Sequence, residues 1–431
     1  MENIICTSIK EMIIDVYSFS IEDSILVYGY FLVDLLFPLL VYDIYTNHEN
    51  KYRFVMLKSD KFNPLLEQLF PNRIEPFGEP KNDLEREFVN LNTTKTGIYH
   101  IWDYYCKVHY LDRQNKLPMN TLVLYGYGMF YDPFYQFTKQ KYSLLSDVDY
   151  NEQMNLYAIQ QYIQSENKST YKQKQILKSN KYKRMQLFFI SHKNKVIQYL
   201  LSIPALPIPK KKILYVLRRL PTKYVANVDG GGIRFIENEN NLINILIHLF
   251  GDENVKVAIM EDYAFVQQVQ LFYNADIVVG QHGSGLTNAI FMRPNTTLIE
   301  MSGTINIDNH IFRNIAETFQ INYIHISQKQ LSKQSAINYF NSLSYEDEIA
   351  KENVMQLIEK YFTTNVYKNL KGYDKMFYPA PIQTIQNSGT VNETEFRNKL
   401  KHLRLQLNKK SKQLTKKLKP HKKQTETHKT L

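Results

Sequence analysis

Residues 274–301, NADIVVGQHGSGLTNAIFMRPNTTLIEM, constrain the fold more tightly than any other stretch, because they read in order as strand, glycine turn, helix, proline break and strand. Residues 276–280 form a short apolar run of the buried-strand type. Gly283 and Gly285 then permit a sharp turn without a Cβ in the way, and a helix is predicted over 286–292. A helix that starts in such a turn points unpaired N–H groups and the positive end of its dipole at the carboxyl edge of the strand, where open α/β sheets bind ligands. The amides from Gly283 to Leu286 therefore offer a seat for an anion such as phosphate. His282 at the lip adds an imidazole donor, Ser284 a hydroxyl, and Asn288 an amide in the first helical turn. Pro294 stops the helix, and the strand predicted over 297–301 carries Glu300, whose carboxylate suits the two hydroxyls of a ribose.

The ordered run His282-Gly283-Ser284-Gly285-Leu286-Thr287-Asn288, followed by Phe291, Pro294 and Ile299-Glu300, resembles the signature of the family 61 glycosyltransferases. That family includes protein O-GlcNAc transferases of the secretory pathway and plant xylosyl- and arabinosyltransferases. Ser284 stands where the family usually has Ala, a departure that leaves the turn possible. Upstream, residues 213–217 read as a buried strand with Arg218 and Arg219 at its carboxyl end. Gly230 to Gly232, then Arg234, Asn238-Glu239 and a helix over 241–250 follow, an order similar to that of family members. A second element, YGYFLVDLLFP over 28–38, is similar to the family's glycine-histidine-phenylalanine, aspartate, proline element, with Tyr30 in place of the histidine. The resemblance spans residues 25–330 and is strongest over 213–301.

A chain of 431 residues, 44% apolar and 13% aromatic, is long enough for two domains with real cores. Its net charge of +11 is local: residues 397–431 hold 13 Lys/Arg against Glu426 alone, a balance of +12, so the rest stands at −1. The body thus lacks a basic field for nucleic acid, and any such function would live in the tail. Two cysteines, Cys6 and Cys106, exclude a disulfide framework and a four-cysteine zinc site, and the 11 histidines show no metal-ligand spacing. The D-x-D at Asp147–Asp149 is the spacing that metal-dependent glycosyltransferases use, but it stands far from the glycine turn and reads as chance. Residues 1–19 lack the basic start and apolar core of a signal peptide. The apolar stretch 25–45 contains Asp34, Pro38 and Asp43, which argue for a buried amphipathic helix rather than a membrane span.

Further strands are predicted over 52–57, 122–125, 255–260 and 322–326, and helices over 263–273 and 309–319. Their alternation implies a mostly parallel sheet with helices on both faces. The expected organisation is an N-terminal Rossmann-like domain over 1–200 with a polar insertion near 152–198, and a linker holding Pro204, Pro207 and Pro209. A second Rossmann-like domain over 210–330 follows, then a packing arm over 331–394 with a helix over 339–362 and irregular chain over 367–389. The basic tail over 395–431 carries Leu400, Leu403, Leu407, Leu414 and Leu418 at helical spacing, read either as a membrane-surface helix or as a solvated end.

The resemblance implies a GT-B architecture, two Rossmann-like domains facing a cleft, and an inverting transfer with no obligatory metal or cofactor. It implies a UDP-sugar as co-substrate, GlcNAc or xylose foremost, a protein or glycan hydroxyl as acceptor, no nucleic acid partner, and a place in the endoplasmic reticulum or Golgi. Without a metal, the departing diphosphate must be met by fixed donors: Arg218 or Arg219, the turn after Gly283, and Ser284. Arg234, Asn238 and Glu239 join the donor side on the same resemblance. For the general base Asp34 stands first, with His282 and Asp262 behind it. Two other classes remain open: a nucleotide-sugar binder without catalysis, marked by Tyr30, and a polybasic membrane or nucleic-acid module resting on the tail.

Overall fold

In the computed structural model, which describes residues 14–19, 28–45, 52–56, 61–76, 121–125, 192–224, 233–303, 311–364 and 379–417, the apolar runs become strands of two sheets. The first is built from β1 (Ile14–Phe19), β2 (Tyr52–Met56), β3 (Ile74–Pro76) and β4 (Thr121–Tyr125), parallel throughout in the order β3-β2-β1-β4. The second contains β5 (Ile213–Leu217), β6 (Val255–Ile259), β7 (Ile277–Gln281), β8 (Thr297–Ser302), β9 (Asn322–Gln330) and β10 (Gly389–Val391). Its order is β10-β9-β8-β7-β5-β6, parallel except for the antiparallel edge strand β10. From β5 onward the parallel strands follow the 2-1-3-4-5 doubly wound order, so the chain reverses its direction of travel between β5 and β7.

Every residue of β7 and β8 is buried, as strands covered on both faces require. One face is covered by α4 (Glu239–Phe250), whose buried Leu242, Ile245, Leu246 and Leu249 recur at helical spacing, and by the start of α10 (Glu393–Lys417) through Phe396, Leu400 and Leu403. The other face is covered by α5 (Phe265–Asn274), by a 3-10 segment Ser284–Phe291, and by α6 (Ile311–Thr318). Chain from the N-terminal part enters that same core. A helical turn Tyr28–Tyr30, a π-helical stretch Phe31–Leu36, α1 (Phe37–Tyr45), α2 (Asn63–Leu69) and α3 (residues 192–202) contribute Phe31, Phe37, Leu66, Phe70, Val196 and Leu200 to it. Phe37 lies edge-on to Phe291 and Phe319, with ring centroids 6.4 and 5.9 Å away. The 28–45 stretch is thus a buried helix with Asp43 paired to Arg73, and no helix among the described residues is long and apolar enough to cross a membrane.

Several elements differ from the sequence reading. The helix predicted over 286–292 is the 3-10 segment, which starts two residues earlier. The single helix predicted over 339–362 is two, α7 (Lys333–Asn341) and α8 (Glu348–Thr363), because Ser332 and Asp347 each cap a new helix by accepting from Ser335 N–H and Ala350 N–H. Within the stretch read as irregular, α9 (Ala380–Asn387) and β10 are regular, while residues 365–378 lie outside the described residues. The basic tail is helical to Lys417, and its first turns are anchored on α4 rather than frayed. Residues 152–191 of the polar insertion, Asp147–Asp149, Gly230–Gly232 and both cysteines lie outside the described residues.

Candidate functional site

In doubly wound sheets ligands bind at the carboxyl ends of the strands where neighbouring connections leave in opposite directions, and in this sheet that point lies between β5 and β7. Arg218 follows β5 there, and Gly283 follows β7. The two are in intimate contact: a Cβ on Gly283 would stand 1.7 Å from Arg218 Nη2 and 2.7 Å from its Cζ. With φ +158 and ψ 173, Gly283 also occupies a backbone region that is essentially reserved for glycine. Both facts favour glycine at this turn, because any other residue would strain the backbone and displace the Arg218 guanidinium. Arg218 is half-buried and has no hydrogen-bonding or ion-pair partner among the described residues. Burial presses its pKa below the usual arginine value, opposed by the more distant carboxylates of Glu261 and Glu239. A guanidinium partly withdrawn from water with its donors open is a site for an anion. The guanidinium of Arg234 donates from Nη1 to the carbonyl oxygen of His282 at 3.0 Å.

The 3-10 ladder starts with Leu286 N–H on Gly283 O at 2.9 Å, so the amides of Ser284 and Gly285 precede it at the segment's N-terminus. Ser284 and Gly285 are half-exposed, whereas Leu286 is buried. Asn288 is fully buried and holds the turn from behind. Its Oδ1 accepts from Tyr28 Oη at 2.8 Å, and its Nδ2 donates to Gln268 Oε1 at 2.9 Å. Gln268 in turn donates to the carbonyls of Met260 and Tyr263, both at 3.0 Å. The amide predicted to reach a ligand therefore ties the turn to the end of β6 and to the start of the 28–45 stretch. Gly29 lies on the turn itself, its would-be Cβ 3.0 Å from Thr287 Oγ1 and 3.5 Å from Ser284 Oγ. Asp34 sits in the π-helical stretch just beyond, a rare conformation that concentrates at functional sites. The side chains of Asp34 and Tyr30 lie outside the described residues.

Strand alternation places His282, Glu300, Ser302, Tyr323 and His325 on one face of the second sheet, with Gly280 beside Glu300 and Glu300 beside His325 in register. His282 Nδ1 is bonded to Glu300 Oε1, and Tyr323 Oη donates to Glu300 Oε2. Glu300 is 1% exposed, so the carboxylate expected at a ribose has both oxygens engaged inside the protein. His282 is nearly as buried, with its ring edge-on to Phe312 at 4.9 Å. Burial lowers its pKa, Glu300 opposes this, and Arg234 and Arg218 add to the lowering. Ser302 Oγ bonds His325 Nε2 at 2.7 Å next to this network.

The remaining predicted residues are placed differently. Arg219 forms an exposed ion pair with Asp262, which joins a phosphate candidate to a candidate base. Asn238 is bound to both backbone groups of Val391, at 2.9 and 3.1 Å, and to Glu393, and so anchors α4 to β10. Glu239 stays near Arg218; burial pushes its pKa up to about 7 against the hydrogen bond from Tyr215 and the charge of Arg218. Tyr28, Gln268 and Tyr323 carry the network and were not singled out from sequence. Only the parity of Tyr323 with Glu300 on adjacent strands could have marked one of them. A family model described as Glycosyltransferase 61 matches residues 28–299, more than half of the chain. The match opens at Tyr28, the hydroxyl that holds Asn288, and closes one residue before Glu300. Among curated proteins none matches.

Proposed function

The chain belongs to the glycosyltransferase 61 family, and from that premise we propose that it moves a sugar, GlcNAc or xylose foremost, from a UDP-sugar to a hydroxyl of a protein or glycan. The transfer is inverting and independent of metal. The acceptor enters a GT-B cleft between the 1–200 and 210–330 domains, in the lumen of the endoplasmic reticulum or Golgi. One observation carries the reading: a guanidinium unpaired among the described residues, that of Arg218, lies against the glycine turn at the reversal point of a parallel sheet.

A single displacement leaves negative charge on the departing diphosphate, and fixed donors aimed at that charge lower the barrier more than they stabilise the ground state. Arg218, the amides of Ser284 and Gly285 and the Ser284 hydroxyl are such donors. Arg234, braced on the His282 carbonyl, adds positive potential from the same side. Removal of one donor from a site of this kind typically costs about 2.7–4 kcal/mol, roughly a 100- to 1000-fold loss in rate. The test is incubation with labelled UDP-GlcNAc and UDP-xylose, with melting shifts measured on UDP. Turnover or slow hydrolysis of a donor supports the reading. A UDP shift without turnover of any UDP-sugar would make the chain a binder, and no shift at all would remove the nucleotide.

A further inference from the structure

We infer that His282 is the general base of the transfer and that Glu300 and Tyr323 are its positioning residues, an inference that rests on the glycosyltransfer reading above. Glu300 accepts at both oxygens, from Tyr323 Oη on one and from His282 on the other, so the hydrogen in the His282 pair is on Nδ1. That fixes the tautomer. In the neutral ring the lone pair is then on Nε2, which has no hydrogen-bond partner among the described residues. A neutral His282 therefore accepts at Nε2 and cannot donate there, which removes it from the groups that hold a phosphate and leaves it suited to take a proton.

Among the described residues, the charged groups facing the ring are Glu300 from β8, Arg218 from the end of β5 and Arg234 from the chain before α4; α6 presents Phe312. Burial, with a smaller contribution from the two guanidiniums, lowers the ring's pKa against the pull of Glu300 and so favours the neutral form that accepts a proton. In the transfer, the Nε2 lone pair takes the acceptor hydroxyl's proton and the freed oxygen pair bonds to the anomeric carbon. The bond from that carbon to the diphosphate oxygen breaks, its pair leaving with UDP. The imidazolium, stabilised by Glu300, then returns its proton to water. This is the orienting role that a carboxylate plays behind a catalytic histidine on unrelated folds.

The experiment uses the full chain with the UDP-sugar it turns over, and measures kcat, KM for the donor, the UDP melting shift and the pH profile. His282→Ala is expected to lower kcat by about 100- to 10,000-fold while the UDP shift stays within about a third of wild type. Added imidazole is expected to restore part of the rate. If His282→Ala does not fold, His282→Gln takes its place with the same expectation. Glu300→Gln is expected to lower kcat and to move the acidic limb of the rate profile to lower pH, because Glu300 raises the pKa of His282. Retention of more than a tenth of kcat in a folded His282 variant, loss of the UDP shift together with the rate, or an unmoved acidic limb in Glu300→Gln would each overturn the assignment. Absence of turnover by wild type with every UDP-sugar would instead overturn the transfer reading, and this assignment with it.

Discussion

Substitution of Gly283 by alanine tests the donor seat at its tightest point. The new Cβ would stand 1.7 Å from Arg218 Nη2, and ordinary contact begins at 3.4 Å, so the guanidinium must retreat by about 1.7 Å. The moving group is the far end of a flexible side chain, so the steric term is small. The backbone term is larger, about 1–3 kcal/mol for a non-glycine residue held in this region. A retreat of that size exceeds the roughly 1 Å misplacement that can lower a rate about 100-fold. The expectation is a protein that still folds, with a weakened UDP melting shift and transfer lowered by about 100- to 1000-fold, as for the loss of one charge-stabilising donor. Gly285→Ala is the comparison within the same turn, since its Cβ would meet Val216 Cγ1 at 3.3 Å and Met260 Cγ at 3.4 Å rather than Arg218. The assay is differential scanning with and without UDP, followed by turnover of labelled donor. If folded Gly283→Ala bound UDP and turned over the labelled UDP-sugar within about threefold of wild type, Arg218 would have no need of its place against the turn.

Arg219→Ala should leave transfer within about threefold and stability within about 1 kcal/mol, because its ion pair with Asp262 is exposed on both sides; a loss as large as that of Arg218→Ala would show that both arginines serve the donor. Lys193 is fully buried, donates to Met292 O at 2.6 Å, and has its pKa lowered to about 7 by burial. Between that value and its unfolded value only the unfolded chain holds the proton, so stability should rise by about 2–3 kcal/mol from pH 7 to 9. Lys193→Met should flatten that rise in urea titrations, and an unchanged slope would assign it to other groups. Tyr28→Phe leaves Asn288 Oδ1 without the 2.8 Å donor and should lower stability by about 1–3 kcal/mol. A melting temperature equal to wild type would show that the chain through Asn288 and Gln268 does not brace the turn.

The unit 274–301 was legible because everything it needs is local: an apolar run long enough for a strand, glycines where the backbone must turn, and a proline that ends the helical segment. The apolar spacing of α4 and of the tail's first leucines was legible for the same reason, since a helical period is written residue by residue. Parts of the site were not local. Adjacent residues at a strand end point to opposite sides, so Arg218 turns in to Gly283 while Arg219 turns out to Asp262, and only the assembled sheet says which is which. Glu300 looked like a free carboxylate because its partners, His282 and Tyr323, are 18 and 23 residues away and meet it only through the β7-β8-β9 register. Asn288 shows the same limit, its two oxygen- and nitrogen-bound partners being 260 and 20 residues distant. Sequence by itself determined that a parallel α/β sheet carries an arginine pair at one strand end and a glycine turn at another, since each is set by the chemistry of neighbouring residues. Tertiary structure alone decided which side chains face that turn and which are already engaged, because a polar group's availability depends on what strand order and packing bring against it.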